Sequence, residues 1–125
     1  MMEKTGLTRL AAAWRNSLRG LKDIWRSEEA FRLECLAFLV ALPIAAIICA
    51  SLVHYGVLIF SILILIIVEI LNTAIEATID RIGPERHELS RTAKDLGSLA
   101  VLCAALIPFA IWGVSIVQFL TRLLA

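Results

Sequence analysis

Charge is scarce in this 125-residue chain. Asp, Glu, Lys and Arg make up 18% of it, where a soluble domain carries about a quarter. The net charge is only +1, which removes the cationic excess that a nucleic-acid binder needs. Cysteine is sparse too. Cys35, Cys49 and Cys103 each lie in an apolar stretch, and none has a partner at metal-ligand spacing. They read as packing residues, not as a disulfide framework or a cysteine metal site. There is no GxxxxGK[ST] motif, so any ATP site must be built without a Walker-type loop. No internal repeat or low-complexity segment appears. The first apolar run is broken by Arg9, Arg15 and Arg19. A cleavable signal peptide is therefore not expected, and the spans below are expected to belong to the mature protein.

Apolar residues are what the chain has in excess, at 60%. A single domain of this length has no use for that much apolar surface in water, so the surrounding solvent must itself be apolar. Three long stretches carry it. Cys35 to Val53 and Leu96 to Leu120 are free of charge. Gly56 to Val68 is as well, and its helical pattern continues past Glu69 to about Ile82. A spanning helix needs about 20 mostly apolar residues, so the middle stretch qualifies only if Glu69 and Glu76 sit near one end of the span. Pro43 and Pro108 fall inside two of these helices, where neighbours can satisfy the freed carbonyls. Ser51 to Gly56 is expected to join the first two spans. Gly83 and Pro84 stop the second helix, and Ser90 is the expected N-cap of the third.

The basic residues are placed unevenly. Lys4, Arg9, Arg15, Arg19, Lys22, Arg26 and Arg32 precede or open the first span, and Arg81, Arg86, Arg91 and Lys94 surround the second loop. The first loop has no Lys or Arg, and the C-terminal end has only Arg122. The positive-inside rule then puts the N-terminus and the Gly83–Ser90 loop in the cytoplasm, and the C-terminus outside. Before the first span, Leu7, Leu10, Trp14, Leu18, Leu21 and Trp25 recur at steps of three or four, with cations on the other faces. That is the pattern of a helix lying in the membrane surface. The expected fold is therefore an all-α membrane protein. It has an N-terminal amphipathic surface helix over 7–26 and three transmembrane helices over about 30–53, 56–82 and 91–121.

The stretch VEILNTAIEATIDRIG carries the chemistry. Glu69, Asn72, Glu76 and Asp80 are spaced 3, 4 and 4, which places them within an arc of about 80° on one helix face. The intervening residues are mostly apolar. An acidic side chain at the membrane centre costs roughly 2.5–3.5 kcal/mol on insertion scales. Three carboxylates on one stripe also repel one another, so the stripe makes poor glue between helices. Glu28, Glu29 and Glu34 open the first span, and Lys94, Asp95 and Ser98 open the third, at the same expected depth. Carboxylates with an amide and a lysine suit metal-assisted phosphoryl transfer, because Mg²⁺ takes oxygen ligands and uses one or two carboxylates plus substrate phosphates. A carboxylate at the membrane face could also accept a proton from a lipid hydroxyl.

These segments resemble the small prokaryotic diacylglycerol kinase family over nearly the whole chain. GLTRL opens the surface helix and EEAFRLE leads into the first span. VEILNTAIEATIDRIG and HELSRTAKDLGSLAV follow in the family's order. The resemblance implies one integral membrane kinase domain over 1–125, assembled as a homotrimer with active sites shared between neighbours. It implies ATP as co-substrate with Mg²⁺, and phosphorylation of diacylglycerol to phosphatidic acid at the cytoplasmic face of the bacterial inner membrane. By the same resemblance Glu69 would be the general base, with Asn72 supporting the geometry, and Glu28 and Glu76 would hold the Mg²⁺ on the nucleotide phosphates. Ser17, Glu85, His87, Lys94 and Asp95 would contact the nucleotide, with Arg86 beside them. Arg9, Ala30, Arg32, Glu34, Ser98 and Trp112 would lie along the lipid site. The chain departs from the family at Asn16, where Tyr is frequent. It departs also at Arg86, where an aromatic is common, and at Arg91, where a small residue is common. The two arginines add positive charge near the expected phosphate region. Two other readings stay open at this point: an undecaprenol kinase, which shares the central stretch, and a small transporter that uses membrane carboxylates as proton or cation sites.

Overall fold

The computed structural model describes residues 6–125. Lys4, counted above among the cytoplasmic cations, lies outside the described residues. Four helices follow in order: α1 Gly6–Ser27, α2 Glu29–Ile48, α3 Leu52–Ile82 and α4 Glu88–Leu124. The last three are long and apolar enough to cross a membrane. At 1.5 Å per residue α2 is about 30 Å long, the thickness of the hydrocarbon, whereas α3 and α4 reach about 46 and 55 Å. Both longer helices must therefore project from the hydrocarbon, and the end of α3 and the start of α4 supply a paired projection on the side where α2 begins.

Helix α3 is central and packs against α4 and α2. Its antiparallel register with α4 is marked by polar contacts along its length. His54 Nε2 lies 2.8 Å from Ser115 Oγ, and Trp112 Nε1 donates to the Leu58 carbonyl at 3.2 Å. Asn72 packs on Gly97, and Lys94 pairs with Asp80. Residues buried between the helices include Ala41, Ala45, Ala104, Ser61, Ser115 and Gly97. Small residues suit these positions because lipid supplies no hydrophobic drive between helices, so close van der Waals packing must hold them together. Two apolar clusters form. Ile24, Phe31, Ala41, Ile62 and Ile66 make one, Ala45, Ile48 and Leu58 the other, and Trp112 packs against both.

Helix α1 keeps its apolar stripe open. Leu7, Leu10, Trp14, Leu18, Leu21 and Trp25 are exposed, and Ile24 is its buried residue. The joint to α2 is held by Arg32, which donates to the Trp25 carbonyl at 2.8 Å. The Trp25 and Phe31 rings also meet edge to face at 6.2 Å.

Two connections differ from the sequence expectation. The first turn is Cys49–Ser51, not Ser51–Gly56, so α2 ends earlier and α3 begins earlier. Ser51 Oγ accepts from the His54 amide at 3.1 Å, and His54 Nδ1 accepts from the Ala50 amide at 3.1 Å. This local pair of caps restarts the helix at once, and Gly56 lies within its regular backbone. At the second loop His87 replaces Ser90 as the cap of α4, its Nδ1 accepting from the Leu89 amide at 3.1 Å. Ser90 sits in the first turn of the helix. The end of α3 is as expected: Gly83 follows it with φ 149°, backbone that residues with a Cβ rarely adopt. Ser51→Ala is expected to cost about 1 kcal/mol, as loss of an N-cap does. Thermal unfolding in detergent would read this as a lowered midpoint, with Ser51→Thr keeping most of the loss away.

Candidate active site

The acidic stripe of α3 begins inside the bundle and runs out of it. Glu69 is 6% exposed, Asn72 and Glu76 are half-buried, and Asp80 is exposed. Counted from Leu52 along the axis, Glu69 lies at about 26 Å, Glu76 at about 36 Å and Asp80 at about 42 Å. The stripe thus crosses the boundary where a 30 Å hydrocarbon slab ends. With the slab taken to start at Leu52, Glu69 falls within its last few ångströms, and Glu76 and Asp80 fall beyond it. A carboxylate near the edge of the slab carries a smaller desolvation cost than one at its centre, which is what the sequence reading of the middle span requires.

Other carboxylates converge on Glu69. Glu28 and Glu76 are near enough to act on it electrostatically, and it acts in turn on Glu34 of α2. One oxygen of Glu34, Oε2, is buried without a hydrogen-bond partner. Glu28 occupies the N-cap position of α2 with φ −107° and ψ 114°, yet its side chain makes no capping bond. Its carboxylate is left uncommitted at a place where most capping residues spend theirs. Within the stripe, Asn72 Nδ2 donates to Glu76 Oε1 at 3.2 Å, an i,i+4 bond that orients the carboxylate. Lys94 of α4 pairs with Asp80 at the outer end.

Beyond the stripe, the loop after α3 folds back to form a polar cleft of about 560 Å³ lined in part by Asp80, Glu85, Arg86, His87, Arg91 and Lys94. Arg91 is held by Glu88 on one side and Asp95 on the other. These pairs are exposed and contribute little to stability. Their effect is to hold a guanidinium, a group well shaped for phosphate oxygens, at the rim of the cleft.

The comparison with known proteins decides what this arrangement belongs to. The family described as prokaryotic diacylglycerol kinase matches residues 15–116. The chain belongs to that family. It is 47% identical over 108 residues to a diacylglycerol kinase of Escherichia coli (strain K12), covering 86% of this chain and 88% of the relative. A diacylglycerol kinase of Haemophilus influenzae is 41% identical over 113 residues, covering 90% and 96%. One from Helicobacter pylori is 34% identical over 108 residues, covering 86% and 84%. The chain is thus an enzyme of a kinase family, and its three spanning-length helices together with these bacterial relatives make it a bacterial membrane protein.

With the family known, the positions of the sequence-derived residues sort into groups. Glu28, Glu34, Glu69 and Glu76 interact electrostatically, with Asn72 bonded to Glu76, and Glu85, Arg86, His87 and Lys94 line the loop cleft. Ser17 is not among them: it lines a separate cleft of about 500 Å³ between α1 and α3, with Ile24, Thr73 and Ala77. Asp95 is exposed and engaged by Arg91. Arg9, Ala30 and Ser98 are exposed on α1, α2 and α4. Arg32 is committed in part to the α1–α2 joint. Trp112 stands apart, about 21 Å along α4 from Ser98, in an apolar groove with Val40, Ile62, Pro108 and Phe109. Sequence reasoning passed over Gly97. A glycine in a helix interior costs about 1 kcal/mol against alanine, and that cost is the one local sign that Gly97 marks a close approach.

Proposed function

We propose that this chain phosphorylates 1,2-diacylglycerol with ATP, giving phosphatidic acid and ADP. The observation that carries the reading is the buried Glu69 at the hydrocarbon boundary, beside Glu28, Glu34 and Glu76, in a chain of this family. A lipid hydroxyl reaches that depth without leaving the membrane, and a nucleotide reaches it from water. Glu69 takes the hydroxyl proton. The lipid oxygen then attacks the γ-phosphorus, the bond to the β,γ-bridging oxygen breaks, and ADP leaves. Phosphoryl transfer asks mainly for positioning and charge stabilisation, and the polar cleft around Arg86, His87, Arg91 and Lys94 offers both to the phosphates.

Mg²⁺ fits the donors present. Glu28 carries an uncommitted carboxylate, Glu76 is oriented by Asn72, and two carboxylates with substrate phosphates are a usual Mg²⁺ set. Among the described residues no three His, Cys, Asp or Glu groups gather as a self-sufficient metal site. Glu28 and Glu76 would hold Mg²⁺ on the nucleotide phosphates, and the ion would supply positive charge to them. The resemblance to the family implies a homotrimer with active sites shared between neighbours, and one chain by itself leaves Ser17 and the loop residues in separate clefts. A neighbour would complete the nucleotide site. The basic segments put the N-terminus and the 83–87 loop in the cytoplasm and the C-terminus in the periplasm.

The test is a transfer assay with purified protein, Mg²⁺, labelled ATP and either diacylglycerol or undecaprenol in detergent. Label in phosphatidic acid is the expected result. Label in undecaprenyl phosphate alone would keep the chemistry and change the substrate. No label in either lipid from folded protein would overturn the reading, and ATP-independent proton uptake in vesicles would then favour a transporter.

A further inference from the structure

Gly97 differs from the other helical glycines. A Cβ built at Gly6, Gly20, Gly56 or Gly113 would meet nothing within 4 Å. At Gly97 it would lie 2.1 Å from Asn72 Oδ1 and 3.3 Å from Asn72 Cγ. Gly97 is buried in α4, and Asn72 Oδ1 is buried against it without a hydrogen-bond partner. The amide is oriented by its other end. The Asn72 nitrogen faces Glu76 and donates to its Oε1 at 3.2 Å. The oxygen is then turned toward α4, where the missing side chain of Gly97 leaves it room.

We propose that Gly97 is a positioning residue for Glu76. It acts through Asn72, by leaving the space in which the amide can sit while it holds the Glu76 carboxylate. This rests on the reading above, in which Glu76 serves phosphoryl transfer. The atoms that a Cβ at 97 would meet within 4 Å all belong to the Asn72 side chain, none to the backbone of α3. An alanine is therefore accommodated by swinging the amide aside, not by parting the helices. It also improves the helix propensity of α4. The consequence is a split between stability and chemistry that an ordinary packing glycine would not give.

The experiment uses full-length protein labelled with ¹⁵N at asparagine side chains, in detergent and without Mg²⁺. The Asn72 NH₂ pair is identified by its loss in Asn72→Ala. In Gly97→Ala that pair is expected to shift while the unfolding midpoint holds. With Mg²⁺ and ATP, kcat is expected to fall on the order of tenfold or more, the scale of a misplaced catalytic group, with KM for the lipid unchanged. Should the single variant also prove unstable, Gly97→Ala in the Asn72→Ala background is expected to restore the midpoint, and a midpoint that stays low overturns the proposal. An unmoved NH₂ pair also overturns it, as does a kcat loss of the same factor in the Asn72→Ala background. A wild-type enzyme that labels no lipid refutes the kinase reading, whereas the NH₂ shift still decides the Gly97–Asn72 contact.

Discussion

Glu69→Gln is expected to lower turnover by about 10²–10⁴, the range a general base contributes, while leaving the protein folded. The substitution keeps the shape of a side chain that is 6% exposed. It replaces a buried acid that lies within electrostatic reach of Glu28, Glu76 and Glu34 by a neutral amide. Stability should therefore hold or rise, because like charges in a poorly hydrated site repel strongly. Glutamine at this position can still bond to a hydroxyl but cannot take its proton. Turnover in mixed micelles, set beside thermal unfolding and size-exclusion of the same sample, separates the two effects. Near-normal turnover would remove Glu69 from the chemistry and leave the stripe to be explained as a binding surface.

Trp112→Ala is expected to do the reverse, costing stability on the order of 3 kcal/mol with little change in kcat. The ring packs against both apolar clusters. Losses for Trp→Ala in aqueous cores run to about 3–5 kcal/mol. A value at the lower end is expected because lipid rewards apolar burial less than water does, leaving mainly the packing contribution. The indole bond adds less than it would elsewhere. The Leu58 carbonyl already accepts from Ser61 Oγ at 2.7 Å as well as from Trp112, so losing the indole leaves no orphaned acceptor. Trp112→Phe should accordingly keep most of the stability, losing about 1 kcal/mol or less. Equilibrium unfolding in mixed detergent would give both values. Rates corrected for the folded fraction would show whether kcat moves. A collapsed kcat with intact stability would draw Trp112 into the reaction site in place of the bundle core.

Much of this molecule was legible from local pattern. Apolar length and charge-free runs called for three spans. Steps of three and four from Leu7 to Trp25 called for an amphipathic helix, and the 3, 4, 4 spacing from Glu69 to Asp80 put four polar groups on one face. Each of these is a property of a single helix and its solvent, repeated every few residues, so periodicity carries it. The turns were less legible. Ser51 caps the His54 amide and the His54 ring caps the Ala50 amide in the first one, and His87 caps α4 ahead of Ser90, since any of several polar residues can serve and the winner depends on backbone geometry. Least legible were the meetings between helices: Asn72 against Gly97, Lys94 on Asp80, the Trp112 indole on the Leu58 carbonyl and His54 on Ser115. These depend on how far one helix slides along another and on which small residues allow it close. No period within one helix carries that register; it emerges when two faces pack.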